Sequence, residues 1–204
     1  MQQQANVKEI FLLGGPNIGK GTRAKIFGET YDASILEMSA LLDGGLPDGN
    51  FVEDDIVLKL WRKETGLGDE RILIPGLCVH DGIPRTEPQS AGVLESISVS
   101  DLFGSTVFWD MNMNDDQMAG RFWNRYWENK AAGTLRPDES DDPEVAEKTF
   151  KHRLSIYRDN HHGILESLKA SGARVFESHL TDDPGADVSA FAEFVGWGVP
   201  VGSV

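Results

Sequence analysis

Short runs of consecutive apolar residues alternate along this chain with longer stretches in which apolar positions recur every three or four residues. The runs predict strands near 8–14, 32–36, 76–80, 105–110 and 173–177. Continuous apolar runs suit strands buried on both faces, and helical periods between them suit βα units around a mostly parallel sheet. The clearest helix spans 145–170, where Phe150, Leu154, Tyr157, His161, Ile164 and Leu168 form one stripe. Asp142 followed by Pro143 marks its start, an N-cap with proline at the first helical position. Two segments rich in glycine and acids, 43–50 and 128–142, read as loops or insertions between core elements. The Gly/Pro/Val-rich tail 196–204 carries no periodicity, and no internal repeat is apparent.

The first predicted strand runs directly into GGPNIGKGT, residues 14–22. Between a strand and a helix, closely placed glycines let successive backbone N–H groups point at phosphate oxygens, and the helix N-terminus adds partial positive charge. Lys20 would sit over the β- and γ-phosphates, with Gly14, Gly15, Gly19, Gly21 and Thr22 forming the cradle. The residue after the lysine is Gly21 instead of the usual Ser or Thr, so Mg²⁺ must be held through phosphates, water and a carboxylate elsewhere.

A second motif, HDGIPRTEPQ at 80–89, follows another buried strand and belongs at the same carboxyl edge of the sheet. Asp81 can hold Mg²⁺ through water. Gly82 allows a close backbone approach, Arg85 can grip a phosphate with two parallel hydrogen bonds, and Gln89 can read a base edge with its amide. The plainer reading of the motif by itself is a turn with a helix-capping Thr86 and a surface arginine. His80 can lie near the metal water or be a core histidine at a strand end.

The formal charge of −14 over 204 residues argues against nucleic acid and anionic membrane as partners and requires the few arginines to be concentrated where phosphates lie. Cys78 is the single cysteine, which excludes an internal disulfide and a multi-cysteine zinc site, so no zinc is expected. No stretch approaches about 20 apolar residues, and the first seven residues lack a signal-peptide pattern. The expectation is a soluble cytoplasmic protein with one domain.

Together the two motifs resemble those of the adenylate kinases, within the nucleoside monophosphate kinases. The family's GxPGxGKGT corresponds to Gly14–Thr22 and its DGFPRTxxQ to Asp81–Gln89. The likeness continues through Arg121 and Arg125, four apart on one helical face, and through EKTFKHRLSIY at 147–157, which carries Arg153. It covers roughly residues 8–180.

The resemblance implies a P-loop NTPase fold, a three-layer α/β/α sandwich on a mostly parallel five-stranded sheet, with a short lid near 126–142 and an acceptor-binding segment near 37–60. It implies ATP with Mg²⁺ as phosphoryl donor, a nucleoside monophosphate as acceptor and a monomeric enzyme. Lys20, Arg125 and Arg153 would surround the transferring group. Arg85 would hold the acceptor phosphate, beside Val52, Gly82 and Gln89. Arg121 would flank the donor base, and Arg136 would be the lid arginine. Trp123 and Trp127 are expected to pack on a face away from the arginines.

Departures from the family pattern fall mostly on the acceptor side. Its TGDLLR helix appears as MSALLD, 38–43, so Met38 replaces a threonine, Ala40 an aspartate, and Asp43 the phosphate-binding arginine. Two like charges about 4 Å apart repel by about 1 kcal/mol even in water. The helix must therefore be displaced or another cation substitute, and Lys59 and Arg62 are candidates. The acceptor segment is also shortened to GGLPDGNF. Asn17 stands for the loop's third glycine, a residue that tolerates left-handed backbone. His161 and His162 point in different directions, one packed and one solvated, and the acidic run 138–142 is expected to be a solvated loop plus a helix cap.

Overall fold

The computed structural model describes residues 6–42, 52–68, 76–136 and 139–197. Five strands, β1 (Glu9–Leu13), β2 (Ser34–Glu37), β3 (Cys78–Asp81), β4 (Thr106–Asn112) and β5 (Arg174–His179), form one sheet in the order β2-β3-β1-β4-β5. Every pairing is parallel. Parallel neighbours require crossover connections, and the helices between the strands supply them.

Strand alternation sends Phe11 and Leu13 to one face of the sheet and Ile10 and Leu12 to the other, and a separate apolar core forms on each side. On the Ile10 side lie α1 (Lys20–Tyr31) and α7 (Pro184–Val195). On the Phe11 side lie α3 (Asp54–Thr65), α4 (Glu87–Val99) and the C-terminal half of α6 (Pro143–Ala170). The short α2 (Met38–Leu41) follows β2. A third cluster joins α5 (Asp115–Ala132) to the first half of α6 through Met118, Phe122, Tyr126, Phe150 and Leu154. This is the α/β P-loop architecture that the sequence implied, with the sheet wholly parallel.

The long helix begins where expected, with the Asp142 side chain accepting from Glu144 N at 2.9 Å. Its stripe is buried at Phe150, Leu154, Ile164 and Leu168. Tyr157 and His161 are half-buried and lie against each other with ring centroids 4.7 Å apart, while His162 is exposed.

His80 belongs to the core. Alternation points it away from Asp81, onto the stacked ring of Phe11. Trp61 Nε1 donates to His80 Nδ1 at 3.2 Å, and His80 Nε2 lies 2.6 Å from Glu9 Oε2. An indole N–H can only donate, so Nδ1 accepts and Nε2 carries the hydrogen toward Glu9. Glu9, Cys78 and His80 cluster closely enough to suggest metal ligands, but this tautomer turns an N–H inward where a ligand needs a lone pair. Burial, with the Glu9 charge adding to it, pushes the Cys78 thiol up to about 12, which keeps it a protonated core residue.

Trp127 is 50% exposed and stacks on Trp123 at 5.9 Å, with Lys130 Nζ 5.8 Å from its ring, so it packs along its own helix outside the core. Among the described residues no helix is long and apolar enough to cross a membrane.

Candidate active site at the carboxyl edge of the sheet

The loop between β1 and α1 lies above the middle of the sheet, where β1 is flanked by β3 and β4. Its path uses left-handed backbone at Gly14 (φ 140°), Asn17 (φ 58°) and Gly19 (φ 95°). Asn17 thus adopts the conformation for which asparagine is the best tolerated substitute for glycine. The loop packs too tightly for side chains at its first two positions. A Cβ on Gly14 would meet Met111 O at 2.9 Å, and one on Gly15 would meet Met118 Sδ at 2.7 Å and the Tyr157 ring at 3.2 Å.

Lys20 folds back into this loop, its Nζ donating to Gly14 O at 2.8 Å and Gly15 O at 2.9 Å. Burial lowers its pKa from 10.5 to about 8; the Asp81 carboxylate opposes that shift, and Arg85 and Arg136 add to it. Three charged groups, two from the 80–89 motif and one from the segment before α6, are therefore close enough to act on this ammonium. Asp81 Oδ2 lies 3.5 Å from where a Cβ on Gly21 would stand, beside the first turn of α1 and near Thr22. A side chain at position 21 would stand in ordinary van der Waals contact with Asp81.

Arg85 emerges from the turn after β3, with Nη2 2.7 Å from the position of a Cβ on Gly82. Gly82 has φ 96°, so both its conformation and its bare face are used. Thr86 caps α4, accepting from Gln89 N at 3.2 Å. Gln89 is 2% exposed and its amide is engaged at both ends, Oε1 accepting from Arg85 N and Nε2 donating to Asp54 Oδ1, each at 2.8 Å. Asp54 Oδ1 also accepts from Thr86 Oγ1 at 2.8 Å. The start of α3, with half-buried Val52 just before it, is thereby tied to the arginine-bearing turn.

Arg62, a candidate stand-in for the arginine replaced by Asp43, is engaged on α4. It binds Ser96 Oγ at 2.9 Å, Gly92 O at 3.2 Å and Glu95 Oε2 at 3.2 Å, which fastens α3 to α4. Lys59 is exposed. Met38 is 1% exposed and Ala40 is exposed; Asp43 and the segment to 51 lie outside the described residues, as do Pro137 and Asp138.

On the other side of the loop, Arg125 and Arg153 line one cavity with Asn17, Phe122, Glu139 and Thr149. Arg125 is ion-paired with Glu139, whose side chain is 5% exposed. Among the described residues of the acidic run, Glu139 is thus the counter-charge of a half-buried guanidinium and not a solvated loop residue. Glu139 Oε2 also accepts from Arg136 N at 3.3 Å, while the Arg136 side chain is exposed. Tyr126 Oη donates to Asp141 O at 3.0 Å and Lys130 pairs with Asp141 at 3.2 Å, holding this connection on α5. Arg121 reaches the loop itself, with Nη1 donating to Ile18 O at 2.9 Å.

A parallel sheet carrying a glycine loop, a lysine inside it, a strand-end aspartate and converging arginines defines a P-loop phosphotransferase site. Over 163 residues, 72% of this chain, the sequence is 32% identical to the adenylate kinase of Jannaschia sp. (strain CCS1), covering 78% of that protein. It is 28% identical over 178 residues to the adenylate kinase of Rhizobium meliloti (strain 1021), covering 80% of this chain and 87% of the relative. No protein-family model matches the chain. The chain belongs to the adenylate kinase family and is a phosphotransferase of the nucleoside monophosphate kinase class.

Proposed function

We propose that this enzyme reversibly transfers the γ-phosphate of ATP to AMP, giving two ADP, as a single-domain, monomeric cytoplasmic protein. The observation that carries this reading is the convergence of Asp81, Arg85 and Arg136 on the Lys20 ammonium held inside the glycine loop, with Arg125 and Arg153 sharing a cavity with the loop residue Asn17. Phosphoryl transfer needs alignment and stabilisation of charge spread over the equatorial oxygens, and an ionised acceptor phosphate needs no general base.

In this reading the N–H groups of the loop from Gly14 through Thr22 cradle the donor phosphates, and Lys20 leaves the Gly14 and Gly15 carbonyls to bind them. Arg85 holds the acceptor phosphate next to Val52, Gly82 and Gln89. Arg125 and Arg153 face the transferring group once Glu139 gives way. Arg121 and Arg136 close the donor side. Asp81 beside Gly21 suits a hydrated Mg²⁺, which would neutralise charge between the β- and γ-phosphates.

The engaged amide of Gln89 and the buried Met38 support a second reading in which the acceptor is UMP, CMP or a deoxynucleotide. ADP formation from ATP with Mg²⁺ and each monophosphate tests both. Turnover with AMP ahead of the others supports the proposal, and a pyrimidine preference replaces its acceptor. ATP binding without turnover of any acceptor overturns the kinase reading and leaves a nucleotide-binding module.

A further inference from the structure

A phosphate-binding loop works when its N–H groups face the anion, so its carbonyl oxygens must face elsewhere. Four loop carbonyls have cationic partners. Lys20 Nζ holds those of Gly14 and Gly15, Arg121 Nη1 holds that of Ile18 at 2.9 Å, and Arg23 Nη1 holds that of Gly19 at 3.1 Å. Arg23 is the unexpected member. It sits on the inward face of α1, is 0% exposed, and carries none of the motif signals that single out the other cations.

The rest of the Arg23 guanidinium is committed to the turn between β5 and α7. Nε lies 3.2 Å from Asp187 Oδ2, Nη2 forms an ion pair with the same oxygen, and Nη2 also faces Thr181 O at 3.4 Å. Asp187, 6% exposed, accepts in turn from Thr181 N at 3.1 Å and Thr181 Oγ1 at 2.9 Å. Arg121 meets the same turn, its Nη2 donating to Thr181 O at 3.1 Å and Asp182 Oδ1 at 3.3 Å. Two guanidinium groups therefore join the carbonyls of Ile18 and Gly19 to that of Thr181. Gly19 is the point where this matters most: its left-handed φ of 95° is open to peptide rotation, and among the described residues its carbonyl otherwise accepts only the long first helical bond from Arg23 N, at 3.3 Å.

Apolar residues of similar volume often stabilise a core as well as a buried ion pair does, so stability alone does not require Arg23 and Asp187. We propose that Arg23, oriented by Asp187, is a positioning residue for the donor triphosphate. It keeps the Gly19 carbonyl turned away from the phosphates and sets the Thr181 turn in register with the loop. The proposal rests on the donor role given above to this loop.

The test uses Arg23→Met with Asp187→Leu, which removes both charges together, and Arg23→Lys, which keeps the charge while one ammonium replaces the fork that spans Gly19 and Asp187. Both are compared with wild type by urea unfolding, by calorimetric titration with a non-hydrolysable ATP analogue and Mg²⁺, and by steady-state kinetics. Binding of the analogue and KM for ATP should weaken about tenfold, equivalent to ~1.4 kcal/mol, in both variants, while KM for the acceptor changes less than twofold. Wild-type affinity for the analogue in either folded variant overturns the proposal and leaves the pair a packing feature. If wild type binds the analogue but turns over no acceptor, the kinase reading fails while the affinity comparison still decides the role of Arg23.

Discussion

The lowered pKa of Lys20 gives a prediction that needs no mutation of the fold. In the free protein its ammonium is buried against the Gly14 and Gly15 carbonyls and titrates near 8. A bound triphosphate requires the charged form and should raise that pKa again. Protons must then be taken up on binding wherever the free protein has lost them. With a pKa of about 8, roughly 0.1 of the lysine is neutral at pH 7, about 0.8 at pH 8.5 and about 0.9 at pH 9. Titration calorimetry in buffers of different ionisation enthalpy should therefore find about 0.8 protons taken up per ATP analogue at pH 8.5 and about 0.1 at pH 7. Affinity should fall about tenfold from pH 7 to 9. Ionisation of ATP itself runs the other way, since it completes the negative charge as pH rises. Lys20→Met should bind weakly at every pH and show no uptake. Pronounced uptake in that variant, or none in wild type at pH 8.5, would refute the assignment of this titration to the loop lysine. The same shift sets a stability trend. The folded pKa lies below the unfolded one, so burying the ammonium costs stability most fully below pH 8, and the cost fades as pH rises from 8 toward 10.5.

Trp61→Phe should cost about 1–3 kcal/mol in urea unfolding, because it orphans a buried acceptor, His80 Nδ1; a loss below about 0.5 kcal/mol would show that the bond adds little. Gly82→Ala forces a side chain into φ 96° and against Arg85 Nη2, and should cost about 1 kcal/mol and raise acceptor KM with little change in ATP affinity. Asp81→Asn should shift the Mg²⁺ dependence of turnover to higher concentration with the fold intact by circular dichroism, and an unchanged Mg²⁺ curve would count against its role. Asp54→Ala releases Thr86 and Gln89 together, so it should destabilise by about 1–3 kcal/mol and disturb acceptor KM more than donor KM, as steady-state kinetics would show.

Hydrophobic runs and helix-cap chemistry are local signals, which is why the five strands and the Asp142–Pro143 start of α6 were legible along the chain. The glycine loop was legible for the same reason: the residues that need left-handed backbone, Gly14, Asn17 and Gly19, fall within six positions, and Asn17 could be recognised as a tolerated member. The spacing of Arg121 and Arg125 placed them on one helical face without any knowledge of what that face meets. Tertiary structure alone decided the partners. Arg23 and Asp187 are 164 positions apart, and His80 and Glu9 71 apart; neither pair carries a local period. Packing also buried Glu139 against Arg125 where composition suggested a solvated acid, committed Arg62 to α4, engaged both ends of the Gln89 amide, and left Trp127 half exposed. A local motif specifies backbone conformation and chemical type through bonds between near neighbours. Which charge neutralises which is set only when distant segments are brought out of water together, because an ion pair or hydrogen bond gains its strength from that shared burial.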